Sequence, residues 1–155
     1  MDKLITIYHG SDKIVEQPIW GEGKKNNDFG LGFYCTASEA LAKEWAVSSL
    51  RDGFSNRYTL NTEYLNILNL NSPDYTILNW IAVLIEHRLF SIKTPVAGRA
   101  KKYLIDNFGV NVNAFDLAII LNVTYWTSLP LWLLLHPHMD ALFTPFCHNT
   151  RTPSP

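Results

Sequence analysis

The order of hydrophobic patterns along this 155-residue chain constrains its fold more than any other feature. Strand-like and helix-like runs follow one another without regular strand–helix–strand alternation, which favours an α+β domain over a doubly wound parallel sheet. The predicted strands are Leu4–Tyr8, Phe33–Thr36, two runs within Arg57–Leu70, and Asp116–Val123. The predicted helices run from Ser38 to about Leu50, from Asn79 to Phe90, and from Gly98 to Asn107.

Length and composition indicate a folded, cytoplasmic domain. The chain is long enough to bury a core, and with 47% hydrophobic and 17% charged residues it is too apolar for a disordered tail. A net charge of -1 gives no general attraction to nucleic acid or anionic lipid, and only Lys24–Lys25 and Arg99–Lys102 form basic patches. Cys35 and Cys147 provide no disulfide framework, and the N-terminus has no signal-peptide pattern, so a reducing cytoplasmic location is expected.

An uncharged segment, Leu117–Leu135, leaves a membrane association open. Its length is just enough to span a bilayer. Polar residues and a proline interrupt it, however, and favour a buried strand and helix instead: Asn122, Thr124, Thr127, Ser128 and Pro130. Membrane binding is therefore not expected.

The first motif with chemical potential is Tyr8-His9-Gly10-Ser11. A histidine that leaves a strand into a glycine can present its ring beside open backbone, because glycine lets another molecule approach closely. Ser11 adds a hydroxyl group. Taken alone, this pattern is more typical of a capping or surface histidine.

The second motif is Phe29-Gly30-Leu31-Gly32-Phe33-Tyr34, followed by a helix whose N-cap is predicted at Ser38. Aromatic rings beside glycines can form a flat wall for a planar ligand, with the glycines leaving space for it. Taken alone, such aromatic residues are typical of a core.

Together the two motifs resemble the nicotinamide-binding half of the ADP-ribosyltransferases related to poly-ADP-ribose polymerase and diphtheria toxin, in the histidine–tyrosine branch. The chain looks closest to a bacterial family of small uncharacterised domains in that superfamily. The resemblance covers about Leu4–Asp116, and the typical segments are Tyr8-His9-Gly10-Ser11, Asn27-Asp28-Phe29-Gly30 and Glu44-Trp45-Ala46. It implies a split β-sheet core with flanking helices and NAD as the substrate, without a metal.

The resemblance also implies roles for individual residues. Gly10 would hold the nicotinamide carboxamide through its backbone, with support from Ser11, while His9 would hydrogen-bond the adenosine ribose. Tyr34 would stack on the nicotinamide ring, through its ring more than its hydroxyl. The implied catalytic residues are His9 and Tyr34, and the implied NAD-binding residues are His9, Gly10, Ser11, Phe29, Gly30, Gly32, Tyr34 and Ser38.

The C-terminal part departs from this family. A transferase of this kind needs a later Glu, Gln or Asp that binds the nicotinamide ribose, yet Asp140 is the only carboxylate side chain after Asp116. We therefore expect an NAD-binding domain at residues 1–120 and a divergent segment at residues 121–155, which leaves the site incomplete and ends in a frayed tail from Thr150.

Two other clusters are expected to be structural or solvent-exposed. The spacing of His136, His138, Cys147 and His148 matches no zinc pattern. Glu86-His87-Arg88 lies in a helical stretch and is predicted to be a surface or edge-of-core feature.

Two functions remain open at this point. One is transfer of ADP-ribose from NAD to an unknown protein or nucleic-acid acceptor, with impaired catalysis. The other is a catalytically silent module that binds NAD or a protein, and a neutralising protein partner is compatible with either.

Overall fold

A computed structural model describes residues 4–19, 27–48, 51–88, 91–120, 132–135, 143–145 and 150–152. The α+β class is confirmed, since the described residues form strands and helices without regular alternation. The strands are β1 Leu4–Ser11, β2 Phe33–Cys35, β3 Gly53–Asn61, β4 Ile67–Asn69, β5 Leu117–Ile120, β6 Trp132–Leu135, β7 Phe143–Pro145 and β8 Thr150–Thr152. The helices are α1 Glu39–Ala46, α2 Ile77–His87 and α3 Pro95–Phe108, with a 3-10 turn at Val112–Ala114.

The strands form two four-stranded sheets. In the first sheet β3 is central: β1 lies along one edge, and β7 and β8 share the other edge at opposite ends of β3. The second sheet has the order β2-β6-β5-β4, and only its β4–β5 pair is parallel. A single bridge between Tyr8 and Thr36 connects β1 to the residue after β2, so the sheets meet at this point.

Apolar side chains fill the space between the two sheets and the space between the second sheet and α2. The first cluster contains Ile7, Cys35, Tyr58, Leu60 and Leu117. The second contains Phe29, Leu68, Leu70, Val83, Val112 and Ala118. Because successive strand residues point to opposite faces, β2 and β5 contribute to both clusters.

Helix α1 covers the outer face of the first sheet, and two glycines permit its close approach. A Cβ atom on Gly10 would lie 2.0 Å from the carbonyl oxygen of Ala42, and one on Gly53 would lie 2.0 Å from that of Ala46. Both distances are far below van der Waals contact. The glycines therefore set the separation between helix and sheet.

Several predicted boundaries are wrong. Strand β1 continues through Gly10 to Ser11, because β3 begins at Gly53 rather than Arg57 and pairs with it throughout. Helix α1 ends at Ala46, since Val47 is extended. Thr150–Thr152 is not a frayed tail but strand β8, which pairs with Gly53–Ser55.

The ends of the uncharged Leu117–Leu135 segment are strands. Ile120 pairs with Trp132 and Leu117 with Leu135, so β5 and β6 are antiparallel neighbours, while residues 121–131 lie outside the described part. Among the described helices none is long and apolar enough to cross a bilayer.

Candidate functional site

Strands β1 and β2 separate next to the first motif. The amide of Tyr8 donates to the carbonyl of Thr36 at 2.8 Å, and the amide of Thr36 donates back at 2.9 Å. Beyond this bridge β1 remains with β3, whereas β2 pairs with β6 in the other sheet. We call the resulting gap the β1–β2 split.

The backbone of Gly10 faces this split. In an antiparallel strand the N–H and C=O groups of alternate residues point to the same edge. The N–H and C=O of Tyr8 point toward Thr36. Gly10 lies two residues further along β1, so its N–H and C=O point to the same edge, beyond the Tyr8–Thr36 bridge. An amide donor and a carbonyl acceptor thus lie side by side at this edge, on a residue that is half-buried.

The ring of His9 spans the split. Its Nδ1 atom lies 2.7 Å from the carbonyl oxygen of Tyr34. Because a carbonyl only accepts, Nδ1 carries the proton and Nε2 is left as an acceptor. Burial of the ring lowers the pKa of His9, against a smaller opposing effect of the Tyr34 carbonyl, so the imidazole is neutral at pH 7.

The ring of Phe33 lies against the ring of His9. The two ring centroids are 4.3 Å apart and the planes are inclined by 34°. On its other side the Phe33 ring meets Tyr58 edge-on, with centroids 5.8 Å apart. Phe33 therefore joins the ring of His9 to the core between the sheets.

The side chain of Tyr34 lies on the opposite face of β2. Its ring packs against the cluster under α2. Its hydroxyl donates to the carbonyl of Gly30 at 2.6 Å and accepts from the amide of Phe29 at 3.3 Å. Burial raises the pKa of this hydroxyl, so it remains protonated. The structure thus brings His9 and Tyr34 together through the Tyr34 backbone, and the hydroxyl acquires a structural role that the sequence did not indicate.

Residues at the C-terminal end of α2 also contact the turn at Phe29-Gly30. Gly30 has φ +92°, a conformation that favours glycine, and a Cβ there would lie 2.6 Å from Cδ2 of His87. Arg88 forms an ion pair with Asp28, with Nε and Oδ1 3.2 Å apart. Phe29 itself is a core residue, and Gly32 is buried. The C-terminal end of α2, predicted to be a surface or edge-of-core feature, therefore supports the second motif.

The two serines of the predicted site already have hydrogen-bond partners. Ser11 Oγ accepts from Asn56 Nδ2 at 2.9 Å and donates to the carbonyl of Lys13. Ser38 is the N-cap of α1, as predicted, and its Oγ accepts from the amide of Leu41 at 3.3 Å. In this structure Ser38 acts on helix α1.

Asn56 is a residue that sequence reasoning missed. It is fully buried on β3, opposite His9, and its Nδ2 donates to the carbonyl of His9 at 3.2 Å as well as to Ser11 Oγ. The sequence signal for its burial was its spacing: Asn56 alternates with Tyr58 and Leu60 and so lies on the same face of β3. It was overlooked because the strand was predicted to begin at Arg57, one residue after Asn56, whereas β3 begins at Gly53.

The C-terminal candidates cannot be placed in the site. Asp140, His136, His138, Cys147 and His148 lie outside the described residues. Within the described part of the chain, no group of three or more His, Cys, Asp or Glu side chains could hold a metal ion.

A protein-family model described as "Protein of unknown function (DUF3990)" matches residues 5–119. This range contains both motifs and all of the residues around the split, and it ends within β5. Neither a curated protein nor a solved structure matches the chain.

Proposed function

Since the chain belongs to the DUF3990 family of proteins of unknown function, we propose its activity from the site itself: an ADP-ribosyltransferase-like domain that binds NAD at the β1–β2 split. The acceptor of ADP-ribose would be a protein or a nucleic acid. The observation that carries the proposal is the split, where backbone groups of Gly10 lie next to a neutral His9 ring.

The donor and acceptor groups at the split complement those of NAD. A carboxamide has one carbonyl acceptor and an NH2 donor, which match the N–H and C=O of Gly10. A ribose hydroxyl can donate to Nε2 of the neutral His9, which accepts because Nδ1 already donates to Tyr34. Protonated histidine would lack this acceptor, so the burial that lowers the pKa of His9 supports the proposed role.

The proposed reaction places modest demands on the protein. The bond between nicotinamide and ribose breaks, nicotinamide leaves with the bonding electrons, and a nucleophilic atom of the acceptor bonds to the ribose carbon and loses its proton. The ribosyl centre resembles an oxocarbenium ion at the transition state, so the protein contributes mainly by positioning the reactants and by electrostatic stabilisation. Backbone groups on a paired strand are suited to such positioning.

Two aromatic rings compete for stacking on nicotinamide. The resemblance assigns this role to Tyr34, whereas the ring beside His9 belongs to Phe33. We keep Tyr34 as the proposed residue and expect Tyr34→Ala to weaken NAD binding by about 1 to 3 kcal/mol, by analogy with aromatic stacking on bases. A loss with Phe33→Leu and none with Tyr34→Ala would transfer the role to Phe33.

A silent NAD-binding module is the second candidate, and the scarcity of carboxylates after Asp116 favours it. The third polar residue of such enzymes acts mainly in the transition state, so its loss should reduce turnover more than affinity. Asp140 is the only replacement that the C-terminal sequence offers. Brisk turnover that disappears in Asp140→Ala would favour the active transferase over the silent module.

The test combines binding with two product readouts. Calorimetry with NAD, ATP and ADP-ribose measures selectivity, and doubly labelled NAD reports both free nicotinamide and labelled macromolecule. We expect NAD to bind with slow or undetectable turnover, and Tyr64→Ala, at a side chain that is 85% exposed, serves as the matched aromatic control. Binding of ATP without binding of NAD would refute the proposal.

A further inference from the structure

The segment that follows the first motif returns onto the inner face of β3. Residues Ser11–Val15 leave the end of β1, and Val15 is then held on both sides of its backbone by two side chains of β3. The amide of Val15 donates to Oδ1 of Asn56 at 2.9 Å, and its carbonyl accepts from the hydroxyl of Tyr58. We call Ser11–Val15 the wall segment.

The beginning of the wall segment is held by the same amide. Nδ2 of Asn56 donates to Ser11 Oγ at 2.9 Å and to the carbonyl of His9 at 3.2 Å, with longer contacts of 3.4 Å to the carbonyls of Lys13 and Phe54. One side chain therefore contacts both ends of the wall segment and the histidine of the candidate site.

The burial of these two side chains shows that the contacts are not incidental. Asn56 is fully buried and Tyr58 is 1% exposed. Removing a polar group from water is unfavourable unless it forms hydrogen bonds, and an apolar side chain would satisfy the core at either position. Both polar groups instead bind the backbone of Val15, and Asn56 also binds the hydroxyl of Ser11 at the end of β1.

We propose that Asn56 and Tyr58 are positioning residues that hold the wall segment in place as a preformed side of the NAD site. The inference rests on the proposed function. A segment that is already fixed before binding loses little conformational freedom when the ligand arrives, which favours affinity. The ring of Phe33 connects Tyr58 to the candidate site, because it lies between the rings of Tyr58 and His9.

Two conservative variants test the proposal. Tyr58→Phe removes one hydroxyl and keeps the core ring, while Asn56→Asp keeps the shape and the acceptor for Val15 but removes both amide donors. Each is expected to free the wall segment and so to accelerate hydrogen exchange of the Val15 amide, without changing that of Ile7 in the β1–β3 ladder. Each should weaken NAD binding roughly 3- to 10-fold, the range of one net hydrogen bond.

The double variant distinguishes positioning from separate structural damage. If both side chains act by fixing the same segment, the two losses of NAD affinity will not add, because either change alone already frees the segment. Asn79→Asp is the matched control. Asn79 Nδ2, on α2, donates to the carbonyl of Phe108 at the end of α3, at 3.0 Å. Asn79→Asp should therefore lower the free energy of unfolding and leave NAD affinity unchanged.

Each outcome bears on a different statement. Unchanged Val15 exchange in both variants would overturn the anchoring itself, whether or not NAD binds. Faster exchange with wild-type NAD affinity, or strictly additive losses, would overturn the positioning role. A wild-type protein that binds no NAD would refute the proposed function, and the exchange data would still decide whether Asn56 and Tyr58 hold the wall segment.

Discussion

Replacing Tyr34 with phenylalanine isolates the hydroxyl that holds the Phe29-Gly30 turn. The change removes a hydrogen bond of 2.6 Å to the Gly30 carbonyl and one of 3.3 Å from the Phe29 amide, and both residues are buried. Unsatisfied buried groups cost about 1 to 3 kcal/mol each, but the second bond is long, so we expect a loss of about 2 kcal/mol in the free energy of unfolding. For a chain of this length that corresponds to roughly 4 to 8 °C in Tm.

Urea denaturation, followed by tryptophan fluorescence, measures this loss, and an unchanged m-value will show that the denatured state is comparable. Tyr64→Phe is the control, since that side chain is 85% exposed and its variant should match the wild type. If Tyr34→Phe unfolds with the wild-type free energy, the hydroxyl does not stabilise the turn and its structural assignment is wrong.

Two further predictions concern the first motif. Gly10→Ala should destabilise the protein by about 1 to 3 kcal/mol, because the added Cβ overpacks against α1. Gly98→Ala is the control: its added Cβ would meet only Ile92 at 3.8 Å, so it should stabilise the protein by up to about 1 kcal/mol. Equal shifts of Tm in the two variants would contradict this reasoning. Since burial lowers the pKa of His9 below 6.5, the unfolded chain takes up the proton first, and stability is lost as the pH falls below 6.5. Parallel pH–stability curves for the wild type and His9→Gln would contradict that assignment.

Local signals predicted the presence of α1, α2 and α3 better than their ends. Ser38 is the N-cap of α1, as predicted, because capping depends only on neighbouring residues. Helix α3, predicted from Gly98, instead begins at Pro95 after the Thr94 cap, a start signal that the sequence analysis did not use. Strand β5 was likewise predicted within Asp116–Val123, since a continuous apolar run needs burial on both faces. The existence of these elements therefore follows from the sequence.

Contacts between distant segments were not predictable in the same way. The sequence of β8 is polar and precedes a proline, so it carries no local strand signal. It is a strand because it pairs with Gly53–Ser55 at the edge of β3. The direction of the Tyr34 ring depends on the pairing of β2 with β6, and the burial of Asn56 depends on a segment that returns from β1. In each case the deciding partner lies far away along the chain.

The position of β6 has a consequence for the order in which the protein folds. Within its sheet β2 has β6 as its neighbour, so Phe33 must wait for Leu135 to be synthesised before it can pair. Pairings between such distant residues close large loops and are slow to form. While the chain is still on the ribosome, β1 and β3 can already pair, but the edge of β5 remains exposed. Strand β2, which forms one side of the β1–β2 split, is therefore expected to take its place late, after most of the chain has been translated.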